Sequence, residues 1–515
     1  MPFSVIPAPA RMRHGDTTVF RLTRFCSLRA DGESALAKAE LERFFTKTLE
    51  LELLGTGREE LVLCVDPAVS KPEGYTLTVE PDRVTITGHD GAGAFYGVQT
   101  LKQLLLQGEG NLPETEIEDA PQYAYRGFLL DVSRYFFAPD AVKQLLDAMA
   151  LHKLNRFHWH LTDDHGWRIR LDNYPMLTQI GSYRAYTNFG RTPHGGFYTK
   201  DEIRDIVQYA HERCIQVIPE VDSPGHVVSA IASYPYLSCF DRDLPVATNS
   251  GVQHDILCVG KESTFDFMFG MLDEVCELFP DGMFHIGGDE VPTMRWACCP
   301  HCKKRMEAEG FTDVSQLYPY YIGRITAHLK EKGLRVIAWY NAQLGDDIDP
   351  DVIRQHWDVL PESGADLSRV IDSDFHSYYF DLPYGMVPLK ACYEHDPTQN
   401  GIQPFGVECC LWTEYVPTMQ KAGYCAFPRL GAFAEAAWTP PEQKDYAAFL
   451  EKLPAYFSLL DTLSFPHATK KQALPGLLRK WGYQAWFWKR NLHALGWKKA
   501  LDDDRVRKQS SIDNH

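Results

Sequence analysis

Two neighbouring carboxylates, Asp289 and Glu290, follow two glycines in the stretch FHIGGDEVP at 284–292. Adjacent carboxylates repel one another, and glycines at the end of an apolar run give up backbone order. Neither choice helps an ordinary strand, so the stretch points to chemistry. Other reactive or ligand-binding side chains fall in the same way, just after short apolar runs. Ser133 and Arg134 follow GFLLDV, Asp163 and Asp164 follow RFHWHL, and Asp222 and His226 follow IQVIPEV. RVIA ends in Trp339 and VIRQH in Trp357, SYYFD carries Tyr379 and Asp381, and CCLW gives Trp412 and Glu414. An arginine, several carboxylates, a histidine and three tryptophans describe a sugar-sized pocket with an acid, and with neither an obvious nucleophile nor a phosphate cradle. A lone Trp after a strand is usually packing and a lone Asp there is often a helix cap. The recurrence at successive run ends is what carries the functional reading.

Those runs must be strands, because amphipathic helical stretches alternate with them: PDAVKQLLDAMALHK, KDEIRDIVQYAHERC, STFDFMFGMLDEVCELF and QLYPYYIGRITAHLKEKG. The alternation over 121–440 predicts an α/β fold, a catalytic (β/α)8 TIM barrel of about eight strands, whose working residues sit beyond the carboxyl ends of the strands. Residues 1–120 mix strand-like TTVFRL, ELVLCV, YTLTVE and RVTITG with helical SALAKAELERFFTKTL and GAGAFYGVQTLKQLLLQ, which predicts a small N-terminal α+β accessory domain. GNLPETEIEDAPQY, polar and proline-bearing, reads as the junction. Residues 441–515, which include KWGYQAWFWKRNLHALGW, predict C-terminal helices packed on the barrel, and DDDRVRKQSSIDNH at the end reads as frayed.

The chain has 515 residues, 44% of them hydrophobic, enough for a large core and an accessory domain. A formal charge of -17 without a basic cluster disfavours nucleic acid and anionic membrane as partners. Eleven Trp and 25 Tyr in an acidic chain suit carbohydrate, whose apolar faces flat rings cover and whose hydroxyls carboxylates accept from. The start, MPFSVIPAPARMRHGD, lacks the apolar run of a signal peptide or membrane span, so a cytoplasmic protein is expected unless a leader has been removed. Thirteen cysteines, some adjacent (Cys298-Cys299, Cys409-Cys410), read as reduced thiols. CCPHC at 298–302 contains a C-x-x-C without a second pair at ribbon spacing, which weakens a structural zinc, and no cofactor or metal is expected.

The strings LLDVSRYF, FHWHLTDDHGWRI, IPEVDSPGH, HIGGDEV and LWTEY, in this order and spacing, resemble β-N-acetylhexosaminidases of glycoside hydrolase family 20. The likeness covers about residues 1–440. It implies an α+β domain ahead of a barrel, and an exo-acting, retaining hydrolase that releases terminal non-reducing GlcNAc or GalNAc from an oligosaccharide or glycoconjugate. The substrate's own 2-acetamido oxygen attacks the anomeric carbon and forms an oxazolinium ion, so the protein supplies no nucleophile. The resemblance makes Glu290 the general acid and then base, and Asp289 the residue that orients the acetamide and stabilises its growing charge. It gives Arg134 the hydroxyls at carbons 3 and 4, and makes Asp163 and His226 the pair bonded toward Glu290. Asp222 matches a family carboxylate. Tyr379, chosen over Tyr378 by the Y-x-D spacing, donates to the acetamide oxygen. Trp339, Trp357 and Trp412 box the acetamide and the sugar face, while Asp381 and Glu414 accept from the remaining hydroxyls. Two positions depart from the family: Tyr135 stands where His is common, and His165 where Gln often follows the aspartates.

Two other readings stay open at this level. His158 and His160 form an H-x-H whose alternation points both rings one way, with Asp163, Asp164 and His226 near, which would suit a metal-dependent hydrolase on the same barrel. Barrel interiors are packed, which favours hydrogen-bonded structural histidines instead. A catalytically inactive sugar-binding protein is the second, and the presence of Asp289, Glu290 and Tyr379 argues against it, since a binder needs no acid.

Overall fold

The computed structural model describes residues 3–69, 71–187, 189–340, 348–358, 369–398, 403–476, 479 and 481–485. Its first part is a six-stranded sheet of β1 (Arg11–Arg21), β2 (Ser27–Ala30), β3 (Glu60–Val65), β4 (Tyr75–Glu80), β5 (Arg83–Gly88) and β6 (Asn111–Asp119), in the order β1-β6-β4-β5-β3-β2. Helices α1 (Ala35–Lys47) and α2 (Gly91–Gln107) pack on each other and on this sheet. The segment expected as a junction is therefore mostly strand β6, paired antiparallel with β1 and β4. Its alternation buries Leu112, Thr115, Ile117 and Asp119 and exposes Glu114, Glu116 and Glu118. Pro113, which has no amide to donate, sits where the register with β1 is irregular. Buried Asp119 fastens the sheet to the barrel side of the chain: Lys153 Nζ lies 2.9 Å from its Oδ2, and Trp438 Nε1 donates to its Oδ1 at 2.9 Å.

The second part is a closed parallel barrel. Its strands are β7 (Tyr125–Asp131), β8 (Arg156–Asp163), β9 (Gln216–Val221), β10 (Met283–His285), β11 (Arg335–Trp339), β12 (Ile353–His356), β13 (Val370–Asp372) and β14 (Pro404–Leu411). Each pairs with its successor, and β14 returns to β7. The apolar runs singled out between residues 127 and 412 are these strands, except SYYFD, which begins as the end of a short helix (Phe375–Tyr378) and pairs with the barrel through a single bridge from Tyr379 to Cys410. The intervening α3 (Pro139–Leu151), α4 (Lys200–His211) and α5 (Glu262–Cys276) form for local reasons as well as packing. In α4, Thr199 and Glu202 make a capping box, and Ile203, Ile206, Val207 and Ala210 are buried at one-face spacing. Next come α6 (Pro300–Glu309), stopped by left-handed Gly310, then α7 (Leu317–Glu331), α8 (Arg429–Trp438) and α9 (Tyr446–Thr462). Of the Trp-rich stretch 480–497 only 481–485 are described, as helix; the remainder and the terminal 502–515 lie outside the described residues. Among the described residues no helix is long and apolar enough to cross a membrane.

The period of two along each strand stacks the barrel interior. Tyr125, Ile218, Met283, Ile337, Ile353 and Ile371 make an apolar cluster of their own. Two residues on, the inward positions become polar: Glu220, His285 and Gln355, with His158 and Glu408 between them. Two further, the chain leaving β9 and β12 delivers Asp222 and Trp357 to the top, and four residues beyond Glu408 the chain leaving β14 delivers Trp412.

Candidate active site

At the carboxyl ends of the strands an open cleft encloses about 1040 Å³, mouth included. Arg134, Asp163, Asp222, His226, Asp289 and Glu290 line it, and Trp339, Trp357, Tyr379, Asp381, Trp412 and Glu414 complete the set expected from sequence. Gly251, Phe375 and Leu382 line it too. Tyr378 faces elsewhere, its ring 4.9 Å from those of His395 and Phe433.

The acid pair owes its position to a turn. β10 is only three residues long, after which Gly287, Gly288 and Glu290 have φ of 69°, 98° and 49°. A Cβ on Gly287 would overlap the Asp222 carboxylate, whose Oδ1 accepts from Gly288 N at 3.1 Å. Tyr318 Oη donates to Gly288 O at 2.5 Å from the far side. Asp289 and Glu290 then face one imidazole: His226 Nε2 lies 3.9 Å from Asp289 Oδ2 and 3.6 Å from Glu290 Oε2.

Behind His226 the two aspartates divide. Asp164 Oδ2 is the hydrogen-bond partner of His226 Nδ1, at 3.2 Å, and Asp164 Oδ1 also accepts from Val228 N. Asp163 Oδ1 is farther from that nitrogen, at 3.6 Å, while its Oδ2 pairs with Arg134 Nη2 at 2.7 Å and lies 3.0 Å from His160 Nε2. Sequence reasoning marks Asp164 as a strand-end carboxylate without giving it a place in the site; its adjacency to Asp163 is the available signal. Phe375, three residues beyond the end of β13, offers a similar one in its place just past a strand. Gly251 offers none, since it lies in a long connection without periodicity.

The charges follow from burial and neighbours. Burial pushes the Asp289 carboxyl up to about 6, with Glu290 adding to the rise and His226 opposing it. Burial also raises Asp222 well above the carboxylate range, reinforced by Asp289. Burial alone would raise Asp163, but Arg134 and His226 hold it well below. Burial would lower the His226 imidazole, yet Asp163, Asp164 and Glu290 raise it well above its ordinary value. A charged Arg134, a charged His226 and an ionised Asp163 thus border a neutral Asp222 and an Asp289 that titrates near neutrality.

Aromatic rings shape the rest. Trp339 Nε1 donates to Glu220 Oε1 at 2.8 Å, and its ring centroid lies 5.8 Å from that of Trp412, which is 6.2 Å from Tyr379. Arg134 Cζ sits 5.2 Å over the Trp412 ring, and its Nε has no hydrogen-bond partner among the described residues. Tyr135 and His165 do not line the cleft: the Tyr135 ring packs 4.9 Å from His194, and His165 Nε2 lies 2.8 Å from Asn249 O.

The H-x-H histidines are spoken for. His158 Nδ1 lies 2.7 Å from Glu408 Oε1 and its Nε2 3.0 Å from Glu220 Oε2. His160 contacts Glu220 Oε2 at 2.5 Å through Nδ1 and Asp163 through Nε2. Against burial, these carboxylates raise His158 to about 9 and His160 well above the usual imidazole range. Both rings are thus held between carboxylates inside the packed barrel, the structural role that barrel interiors favour for histidine.

The sequence matches the family described as glycosyl hydrolase family 20, catalytic domain, over residues 123–441, and domain 2 of that family over residues 3–120. The chain belongs to glycosyl hydrolase family 20. This family 20 chain is 37% identical over 492 residues to a β-hexosaminidase of Porphyromonas gingivalis, an alignment covering 87% of the chain and 62% of that relative, so it spans less than two thirds of the relative's length. Among solved structures it is similar to a family 20 exo-β-N-acetylglucosaminidase of Vibrio harveyi in complex with N-acetylglucosamine (28% identity, TM-score 0.82, 91% of this chain and 80% of that one). It is also similar to a mutant β-hexosaminidase of Streptomyces plicatus in complex with its product GlcNAc (31% identity, TM-score 0.79, 92% and 98%).

Proposed function

We propose that this protein is an exo-acting, retaining β-N-acetylhexosaminidase that removes a terminal, non-reducing GlcNAc or GalNAc through an oxazolinium ion formed by the substrate's acetamide. The observation that carries the proposal is the placement of Asp289 and Glu290 on one turn, sharing the same imidazole nitrogen at 3.9 and 3.6 Å. A two-carboxylate mechanism needs groups flanking the glycosidic bond from opposite faces of the sugar. A pair on one turn supplies the acid and a charge stabiliser, and leaves the attack to the substrate. Relatives named β-hexosaminidase, and the N-acetylglucosamine held by the Vibrio structure, support the same sugar.

In this reading Glu290, whose side chain is 42% exposed, protonates the leaving oxygen, and the His226 imidazolium 3.6 Å away stabilises the carboxylate that results. The same carboxylate then takes a proton from the water that opens the oxazolinium. Asp289, ionised above about pH 6, accepts from the acetamide N–H and balances the positive charge growing there. Tyr379 donates to the acetamide oxygen, and Trp339, Trp357 and Trp412 enclose the acetamide and the sugar face. Arg134, held by Asp131 and Asp163, presents its remaining donors to the hydroxyls at carbons 3 and 4, with Asp381 and Glu414 accepting from others. Asp222, protonated, supports the turn. None of the thirteen cysteines forms a disulfide, which supports a reducing, cytoplasmic setting.

The test is a series of aryl glycosides with progressively fluorinated acetamides, run with NMR of the first-formed sugar. Electron withdrawal weakens the attacking oxygen, so the rate should fall steeply and the product should keep the β configuration. A shallow response with a sugar trapped covalently on a carboxylate, or an inverted product, would overturn the mechanism.

A further inference from the structure

We propose that Cys239, Cys258, Cys299 and Cys302 bind a structural zinc ion that clips together the two connections carrying His226 and the Asp289–Glu290 pair. The four thiols are buried, and their sulfurs all lie within 4.8 Å of one another. Cys258 Sγ is 3.7 Å from Cys299 Sγ and 3.8 Å from Cys302 Sγ. Four thiolates arranged tetrahedrally at the usual zinc–sulfur distance of about 2.3 Å stand about 3.8 Å apart, the edge of that tetrahedron. A disulfide needs about 2.05 Å, far shorter than these separations. Sulfur-only ligation selects zinc among the common divalent ions, and a closed set of four is the structural rather than the catalytic form.

The sequence hid this site because its halves are far apart. Cys299 and Cys302 are the C-x-x-C at the start of α6, and the second pair comes from the connection after β9. The backbone is shaped to bring them together. A Cβ on Gly260 would overlap the His301 carbonyl carbon and the Cys302 nitrogen, so only glycine lets the two segments touch. Trp296 Nε1 donates to Leu257 O at 2.8 Å, and Cys258 N donates to Leu237 O at 2.8 Å. Neighbouring Cys298 is exposed and outside the cluster.

The β9 connection begins with Asp222 and His226 and carries Gly251 of the cleft, and the β10 connection begins with Asp289 and Glu290. An ion at their far ends ties the histidine and its two carboxylates into one unit without touching substrate. Binding requires loss of the thiol protons, so the ion is held at neutral pH and released in acid.

The full chain, produced with zinc in the medium and purified without chelator or a metal column, should contain about one zinc per chain by elemental analysis. Cobalt-grown protein should show the thiolate-to-cobalt charge-transfer absorption of a tetrahedral sulfur site. C302S should lose the ion and melt at a lower temperature, with KM and the pH profile of residual activity unchanged, while C298S should keep both ion and melting point. If C302S does not fold, alkylation of the native wild type decides: the four cysteines should be protected until denaturation with chelator. Metal-free wild type with four alkylatable thiols, a disulfide within the set, or stoichiometric iron in place of zinc would each overturn the assignment.

Discussion

Replacing Asp289 by Asn should abolish most activity and yet stabilise the ligand-free protein. Folding raises the Asp289 carboxyl from 3.8 to about 6, so the folded state holds that proton more tightly than the unfolded chain. For an acid whose folded value is raised, the sign is a penalty. It is absent below the unfolded pKa near 4, grows between there and about 6, and is complete above. About two pKa units correspond to ~3 kcal/mol. The side chain keeps 18% of its exposure, and an amide leaves donors of its own to satisfy, so ~1–3 kcal/mol is the expected range at pH 8. Melting curves of wild type and D289N from pH 4 to pH 8 measure it. The two should coincide near pH 4, where the folded carboxyl is protonated and nearly isosteric with Asn, and the variant should melt progressively higher as pH rises. The same variant should bind an oxazolinium-mimicking thiazoline more weakly, because the removed charge faces the cation that inhibitor copies. A melting difference independent of pH, or a variant less stable at pH 8, would refute the claim that the protein keeps Asp289 in a site hostile to its charge.

Three further outcomes separate the roles around it. Glu290→Gln should slow substrates with poor leaving groups more than activated aryl glycosides, by a factor within the roughly 10²–10⁴ expected of general acid catalysis; equal losses on both would remove Glu290 as the acid. Asp164→Asn removes the partner 3.2 Å from His226 Nδ1, so the imidazole should lose its proton at lower pH and the alkaline limb of kcat/KM should shift to lower pH with KM little changed, whereas Asp163→Asn should also raise KM by loosening Arg134. Gly287→Ala pushes a methyl into the Asp222 carboxylate and should lower kcat about 10²-fold or more, together with the melting temperature; wild-type kinetics would mean the turn tolerates a side chain.

The barrel was legible because its strands are short apolar runs with helices between them, and because chemistry in such a fold must come just after each run. Trp357 stands two places beyond inward-facing Gln355 and Trp412 four places beyond inward-facing Glu408, so the period of two already aimed both at the cleft. Strand β6 was not legible, since its outward glutamates and Pro113 imitate a linker unless β1 and β4 are known to flank it. The split between Asp163 and Asp164 was equally hidden. Neighbouring residues at a strand end point apart, and only the return of the chain at His226 decides which of them meets the imidazole. The four-cysteine cluster escaped for the same reason on a larger scale, its pairs being brought together by two loops rather than by local spacing.

The two glycines ahead of the carboxylates now have a physical cause. On a continuing strand Asp289 and Glu290 would point to opposite faces, one into the barrel and one into its wall. β10 instead stops at His285, and the positive φ values at Gly287, Gly288 and Glu290 replace the alternation with a turn that aims both side chains at His226 Nε2. A non-glycine residue in that region costs about 1–2 kcal/mol, and it persists here because Asp222 and Tyr318 grip Gly288 from two sides. Carboxylates gathered in this way approach a bound sugar from one direction. In the proposed mechanism the attack on the far face of the anomeric carbon therefore comes from the substrate's own 2-acetamido oxygen, folded beneath the ring. In the same proposal the rings of Trp339, Trp412 and Tyr379, whose centroids lie 5.8 and 6.2 Å apart in turn, are the surface against which the acetamide folds, with Asp289 meeting its nitrogen. On that proposal a substrate lacking the acetamide leaves the acid intact and the nucleophile missing, so plain hexosides should be discriminated against in kcat and not only in KM.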